Sequence, residues 1–115
     1  MSEENLVKEN AIVEIEGKEY ELELDRKGFA LAEKMGFSFE LLMRKPAEQC
    51  EIIWLVAIKK NNPNLSDNLA VKLLDKYVDE YGVRDLVVWV GKQYEVFLQT
   101  TQLDTEKKGL RTTPK

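Results

Sequence analysis

The chain is predicted to be an α+β domain, mainly α, with an N-terminal β-hairpin packed on a bundle of about four to five helices. Three observations predict this. Period-two alternation is confined to AIVEIEGKEYELEL near the start, helical spacing of apolar residues runs from there to about residue 102, and 115 residues with 43% hydrophobic side chains suit one core and not two. The expected organisation is a flexible N-terminus over 1–10, a single domain over 11–102 and a mobile polar tail over 103–115.

In the alternating segment Ala11, Val13 and Ile15 share one face, and Tyr20, Leu22 and Leu24 share the matching face. A two-residue turn at Gly17-Lys18, with Gly17 supplying a positive φ, places Ile15 opposite Tyr20, Val13 opposite Leu22 and Ala11 opposite Leu24. The other face then gathers Glu14, Glu16, Glu19, Glu21 and Glu23, with Glu16 opposed to Glu19 and Glu14 to Glu21. Like charges directly opposed weaken a ladder, so this face is either a device that keeps an edge strand soluble or an acidic or strand-pairing docking surface.

A short helix follows in DRKGFALAEKM, capped by Asp25 and ended by Gly36. Ser38 caps a further helical turn, with Phe37 and Leu42 spaced as a hydrophobic staple. Pro46 fits the first turn of AEQCEIIWLVAIKKN, whose acidic start and basic end match the helix dipole. Cys50, Ile53, Trp54, Ala57 and Ile58 form one wide face of it, with Ile52, Leu55 and Val56 outside, so this is the expected central helix. Ser66 caps the next helix, whose expected buried face is Leu69, Ala70, Leu73, Leu74, Tyr77 and Tyr81, and Gly82 ends it. The last helix runs from about Arg84 to Gln102, with Val83 at its entry and Leu86, Val87, Val90, Tyr94, Phe97 and Leu98 inward.

Composition excludes much chemistry. The sequence holds no histidine and one cysteine, which removes the usual general bases, thiol pairs and zinc ligand sets, and an enzyme, a metal site or a bound cofactor is not expected. Cys50, on an apolar helix face, reads as an inert core thiol. The Asn and Asp residues between Asn61 and Asn68 lack the glycine turn and closing Glu of a calcium loop, and neither glycine-rich phosphate loop is present. No segment reaches the roughly 18 apolar residues of a membrane span, no secretory leader is legible, and a lone cysteine suits a reducing compartment, so a cytoplasmic location is expected.

Charge is uneven along the chain. Residues 1–24 carry eight Glu against Lys8 and Lys18, a net of −6, whereas residues 25–102 carry eleven acidic and eleven basic groups. The acidic end favours a basic protein partner over nucleic acid or an anionic membrane. A helix-turn-helix reading of LLDKYVDEYGVRDLVVWVGKQ fails because the would-be recognition helix begins with Leu86, Val87, Val88, Trp89 and Val90 and not with polar groups for base edges. Five such residues sweep about 400° of helix and cannot all face one core. Trp89, Val96 and Thr100 therefore form a second strip, either covered within the monomer or an interface with another copy or a partner.

The order of EIEGKEYELEL, DRKGFALAEKMGFSFELLMRKP, a Trp-containing apolar helix and two further helices resembles the small tail assembly chaperones of Gram-positive phages and prophages. The resemblance covers roughly residues 11–100 and is carried by GKEYEL, by Met35-Gly36-Phe37 with Pro46 following, and by the helix ending near Asn61. It implies a host-cytoplasmic protein that binds the tape-measure protein, keeps its long hydrophobic helices soluble, recruits tail-tube protein and leaves before the particle is finished. Self-association is compatible with it. The alternatives are a phage structural or connector subunit, which would stay in the particle, and a helix-turn-helix nucleic-acid-binding regulator, which the neutral helical body disfavours.

Overall fold

The computed structural model describes residues 7–107, the side chains of 100–107 excepted. Two strands, β1 (Ala11–Ile15) and β2 (Lys18–Leu22), are followed by five helices: α1 (Arg26–Lys34), α2 (Phe39–Arg44), α3 (Pro46–Asn61), α4 (Asp67–Tyr81) and α5 (Arg84–Lys107). The fold is mainly α with an antiparallel N-terminal hairpin, as the periodicities predict.

The hairpin turn lies one residue earlier than expected. Glu16 and Gly17 both have positive φ, 54° and 80°, the pattern of a type I′ turn, whose twist suits the flanking strands well enough to offset holding one non-glycine residue there. The ladder shifts accordingly, pairing Ala11 with Leu22, Val13 with Tyr20, Glu14 with Glu19 and Ile15 with Lys18. A slip of two residues preserves the face of every side chain. Val13, Ile15, Leu22 and Leu24 are therefore buried as expected, while Ile12, Glu14, Glu16 and Glu19 face solvent.

Local signals set the helix ends. The Asp25 carboxylate accepts from the Gly28 N–H at 2.8 Å, Ser66 Oγ accepts from Leu69 N–H at 3.1 Å, and Ser38 Oγ accepts from Leu41 N–H at 3.4 Å. At the end of α1, Phe37 N–H donates to Ala32 C=O and Gly36 N–H to Glu33 C=O, a Schellman arrangement for which Gly36 takes φ 107°. Phe37 and Leu42, the staple pair, are both buried.

The central helix is α3, packed against β2, α1, α2 and α4. Trp54 is fully buried in it, and its indole Nε1 donates to Ala70 C=O of α4 at 2.9 Å. On α4 the buried face is Ala70, Leu73, Leu74 and Tyr77. Leu69 is exposed because it lies about 90° round the helix from that face. Tyr81 lies on the face but at the helix end, where its hydroxyl donates to Glu14 C=O of the hairpin at 3.2 Å. On α5, Leu86, Val90 and Gln93 are buried, while Val87, Tyr94 and Phe97 pack partly against the core, Tyr94 and Phe97 meeting the Phe29 ring at 5.4 and 5.7 Å between centroids. Leu98 is exposed, about 100° from the inward line, and α5 continues to Lys107, past the expected end at Gln102. Of the expected tail, 103–107 are helical and 108–115 lie outside the described residues.

Candidate functional site

Of the second strip on α5, Trp89 is held within the chain and packs partly against the core. Trp89 is half-buried, its Nε1 donates to Glu9 C=O at 2.8 Å, and the Glu9 N–H donates to Oε1 of the buried Gln93 at 3.0 Å. Two side chains of α5 thus satisfy both backbone groups of one residue, much as a neighbouring strand would. Residues 8–10, expected within a flexible terminus, are held in place, and 1–6 lie outside the described residues. Val96 is half-buried, and the Thr100 side chain lies outside the described residues.

The acidic face is partly consumed too. Lys76 Nζ pairs with Glu16 at 3.0 Å, Asn10 Nδ2 donates to Glu21 at 2.7 Å, and Glu23 accepts from Lys8 Nζ at 2.7 Å and Asn61 Nδ2 at 3.0 Å. The Lys8 hydrogen bond, then that of Asn61, hold the Glu23 carboxyl below its ordinary range. Among the described residues Glu14 and Glu19 alone of the five keep unpaired carboxylates, facing each other across the ladder. Strand addition is hindered as well. Glu23 N–H donates to Ala57 C=O and Asn62 Nδ2 to Glu21 C=O, which closes part of the β2 edge, and Tyr81 occupies the β1 edge.

Cys50 is buried, and burial pushes its thiol up, away from the reactive thiolate. Among the described residues there is no cluster of His, Cys, Asp or Glu able to hold a metal, and no helix long and apolar enough to cross a membrane.

Comparisons with protein-family models, curated proteins and solved structures give no match.

One concave site among the described residues is a groove between α1 and α3 of about 400 Å³, floored by Gly28, Leu31, Met35, Leu55 and Val56. Leu31 is 51% exposed and Met35 44%, side by side at i and i+4 on the face of α1 that turns away from the buried Phe29 and Ala32. Lys27 and two ion pairs, Lys60 with Asp25 at 2.9 Å and Lys59 with Asp67, rim one end. The sequence carries a signal for this face: at 100° per residue Leu31 and Met35 fall opposite Phe29, which gives α1 two apolar sides. A helix with two apolar sides needs two partners, and among the described residues only one is supplied, by the core.

Asp25 is at once helix cap and rim. Burial alone would raise its carboxyl, but the Lys60 ammonium and the Gly28 N–H outweigh burial and hold it below its ordinary range. A carboxyl lowered on folding adds stability above its unfolded pKa and loses it as pH falls through the folded value. Asp25→Asn, which keeps the cap, should therefore cost about 0.5–1 kcal/mol at pH 7 and progressively less below about pH 4. Urea unfolding at pH 7 and pH 3 checks this, and an Asn variant whose deficit stays constant over that range would contradict it.

Proposed function

We propose that the chain is a phage or prophage tail assembly chaperone that acts in the host cytoplasm by lending an apolar groove to helices of the tape-measure protein until tail-tube protein covers them. The observation that carries this reading is the α1/α3 groove, an apolar floor left open between two helices whose other sides are buried in the core. Exposed Leu and Met side chains that can repack favour reversible binding of varied apolar helices over one fixed complement. A sequence without histidine, whose one cysteine is buried, supports a binding role over a catalytic one. The remaining exposed carboxylates, Glu14 and Glu19, would act on encounter with a basic partner more than on affinity.

The test is co-expression with the products of neighbouring genes, the tape-measure protein foremost. The wild-type chain should keep its partner soluble and co-purify with it. Leu31→Asp combined with Met35→Asp should weaken binding at least about tenfold. Both side chains are exposed, so helical circular dichroism should be kept. Co-purification that survives this double change would move the binding site elsewhere, and persistence of the chain in finished particles would make it a structural subunit instead.

A further inference from the structure

We propose that the outer face of α5 joins two copies of this chain in an antiparallel, two-fold contact. The side of α5 turned away from the buried Leu86, Val90 and Gln93 is not uniformly polar: Val88 at its back is 56% exposed and Leu98 on its flank 46%. Val88, Gly91, Glu95 and Leu98 follow one another at steps of three, four and three residues, the spacing of a helix-pairing seam. Beside the seam lies a groove of about 400 Å³ lined by Phe39, Gly91, Lys92, Tyr94, Glu95 and Leu98, in which the Phe39 and Tyr94 rings stack at 4.9 Å. The Phe39 ring lies 3.6 Å from where a Cβ on Gly91 would stand, so the missing side chain seats that ring of the same chain, while the rest of the groove stays open.

The occupant is specified by charge. Lys92 and Glu95 sit at the middle of the face, both exposed, and neither belongs to an ion pair among the described residues. With a two-fold axis beside the midpoint of Gly91 and Glu95, Val88 of one copy meets Leu98 of the other, and Lys92 of each copy lies beside Glu95 of the other. Two ion pairs and two apolar contacts form at once from one self-complementary surface. Parallel pairing would set Lys92 against Lys92 and Glu95 against Glu95, so the charge order selects the antiparallel arrangement. The contact leaves the α1/α3 groove free, and a dimer would carry two such grooves.

Sedimentation and light scattering of the full chain over a range of concentrations test this. Leu98→Asp should weaken self-association by about thirtyfold or more, and Lys92→Glu or Glu95→Lys alone by about tenfold. The double exchange Lys92→Glu with Glu95→Lys should restore it, because the order of charges is then reversed on both copies. All three positions changed are exposed, so melting temperatures serve as a control for folding. A chain that stays monomeric at all concentrations, a dimer indifferent to Leu98→Asp, or a double exchange that remains as weak as the single reversals would each overturn the proposal.

Discussion

Replacing Trp54 with alanine is expected to cost about 3–5 kcal/mol, enough to unfold much of the population of a domain this size. Trp54 is 0% exposed at the centre of α3, its ring lies 5.4 Å from that of Tyr77, and its indole N–H is bonded to Ala70 C=O. The alanine variant therefore loses burial, leaves a cavity between α3 and α4 and removes a buried hydrogen bond. Trp54→Phe separates these terms. It keeps most of the ring, loses the N–H and should cost about 1–2 kcal/mol. Denaturant unfolding followed by far-ultraviolet circular dichroism reads both variants, and an alanine deficit below about 1.5 kcal/mol would mean that α4 closes onto α3 without the indole.

How much of this was legible depended on how local each signal is. Asp25, Ser38 and Ser66 cap helices, and Gly36 ends one, through bonds to residues within a few positions, so the sequence carries the whole instruction. The inward faces of the hairpin were also legible, because they depend on parity and not on register. The turn itself was not, since Glu16-Gly17 and Gly17-Lys18 preserve the same alternation and differ only in backbone twist.

Contacts made at long range were hidden. Helical spacing sets Trp89 beside the inner face of α5, yet it packs partly against the core and its indole N–H bonds a backbone carbonyl 80 residues earlier, in a segment with no apolar period to announce it. The acidic face was read as a unit from the Glu positions alone. Its internal partners, Lys8, Asn10, Asn61 and Lys76, lie elsewhere in the chain, so among the described residues Glu14 and Glu19 alone of the five keep unpaired carboxylates. Gln49 and Gln93 are polar residues that the apolar pattern leaves out, although helical spacing puts Gln93 in line with Leu86, Val90 and Phe97, and each is buried where it satisfies backbone groups of a distant loop.

Gln49 supplies the second large expected effect. It is 1% exposed in the early part of α3, its Oε1 accepts from Ser38 N–H at 2.8 Å and its Nε2 donates to Gly36 C=O at 3.3 Å. One side chain thus ties down the junction of α1 and α2, where the chain reverses at Gly36 and Ser38 begins the next helix. Gln49→Leu keeps a similar volume and gains apolar character but leaves both backbone groups unmade. Each such loss costs about 1–3 kcal/mol when fully buried, and this junction is partly buried, so a deficit of about 2–3 kcal/mol is expected. Gln49→Glu distinguishes hydrogen bonding from packing. The ionised carboxylate still accepts from Ser38 but cannot donate to Gly36, and its desolvation raises its pKa in the folded state. A raised carboxyl binds its proton more tightly in the folded form, so this variant should gain stability as pH falls from 7 towards 5, where the protonated acid can donate to Gly36 C=O again. A Leu variant as stable as the native chain, or a Glu variant whose deficit does not shrink on acidification, would show that the junction is held by the Phe37 and Leu42 staple and not by Gln49.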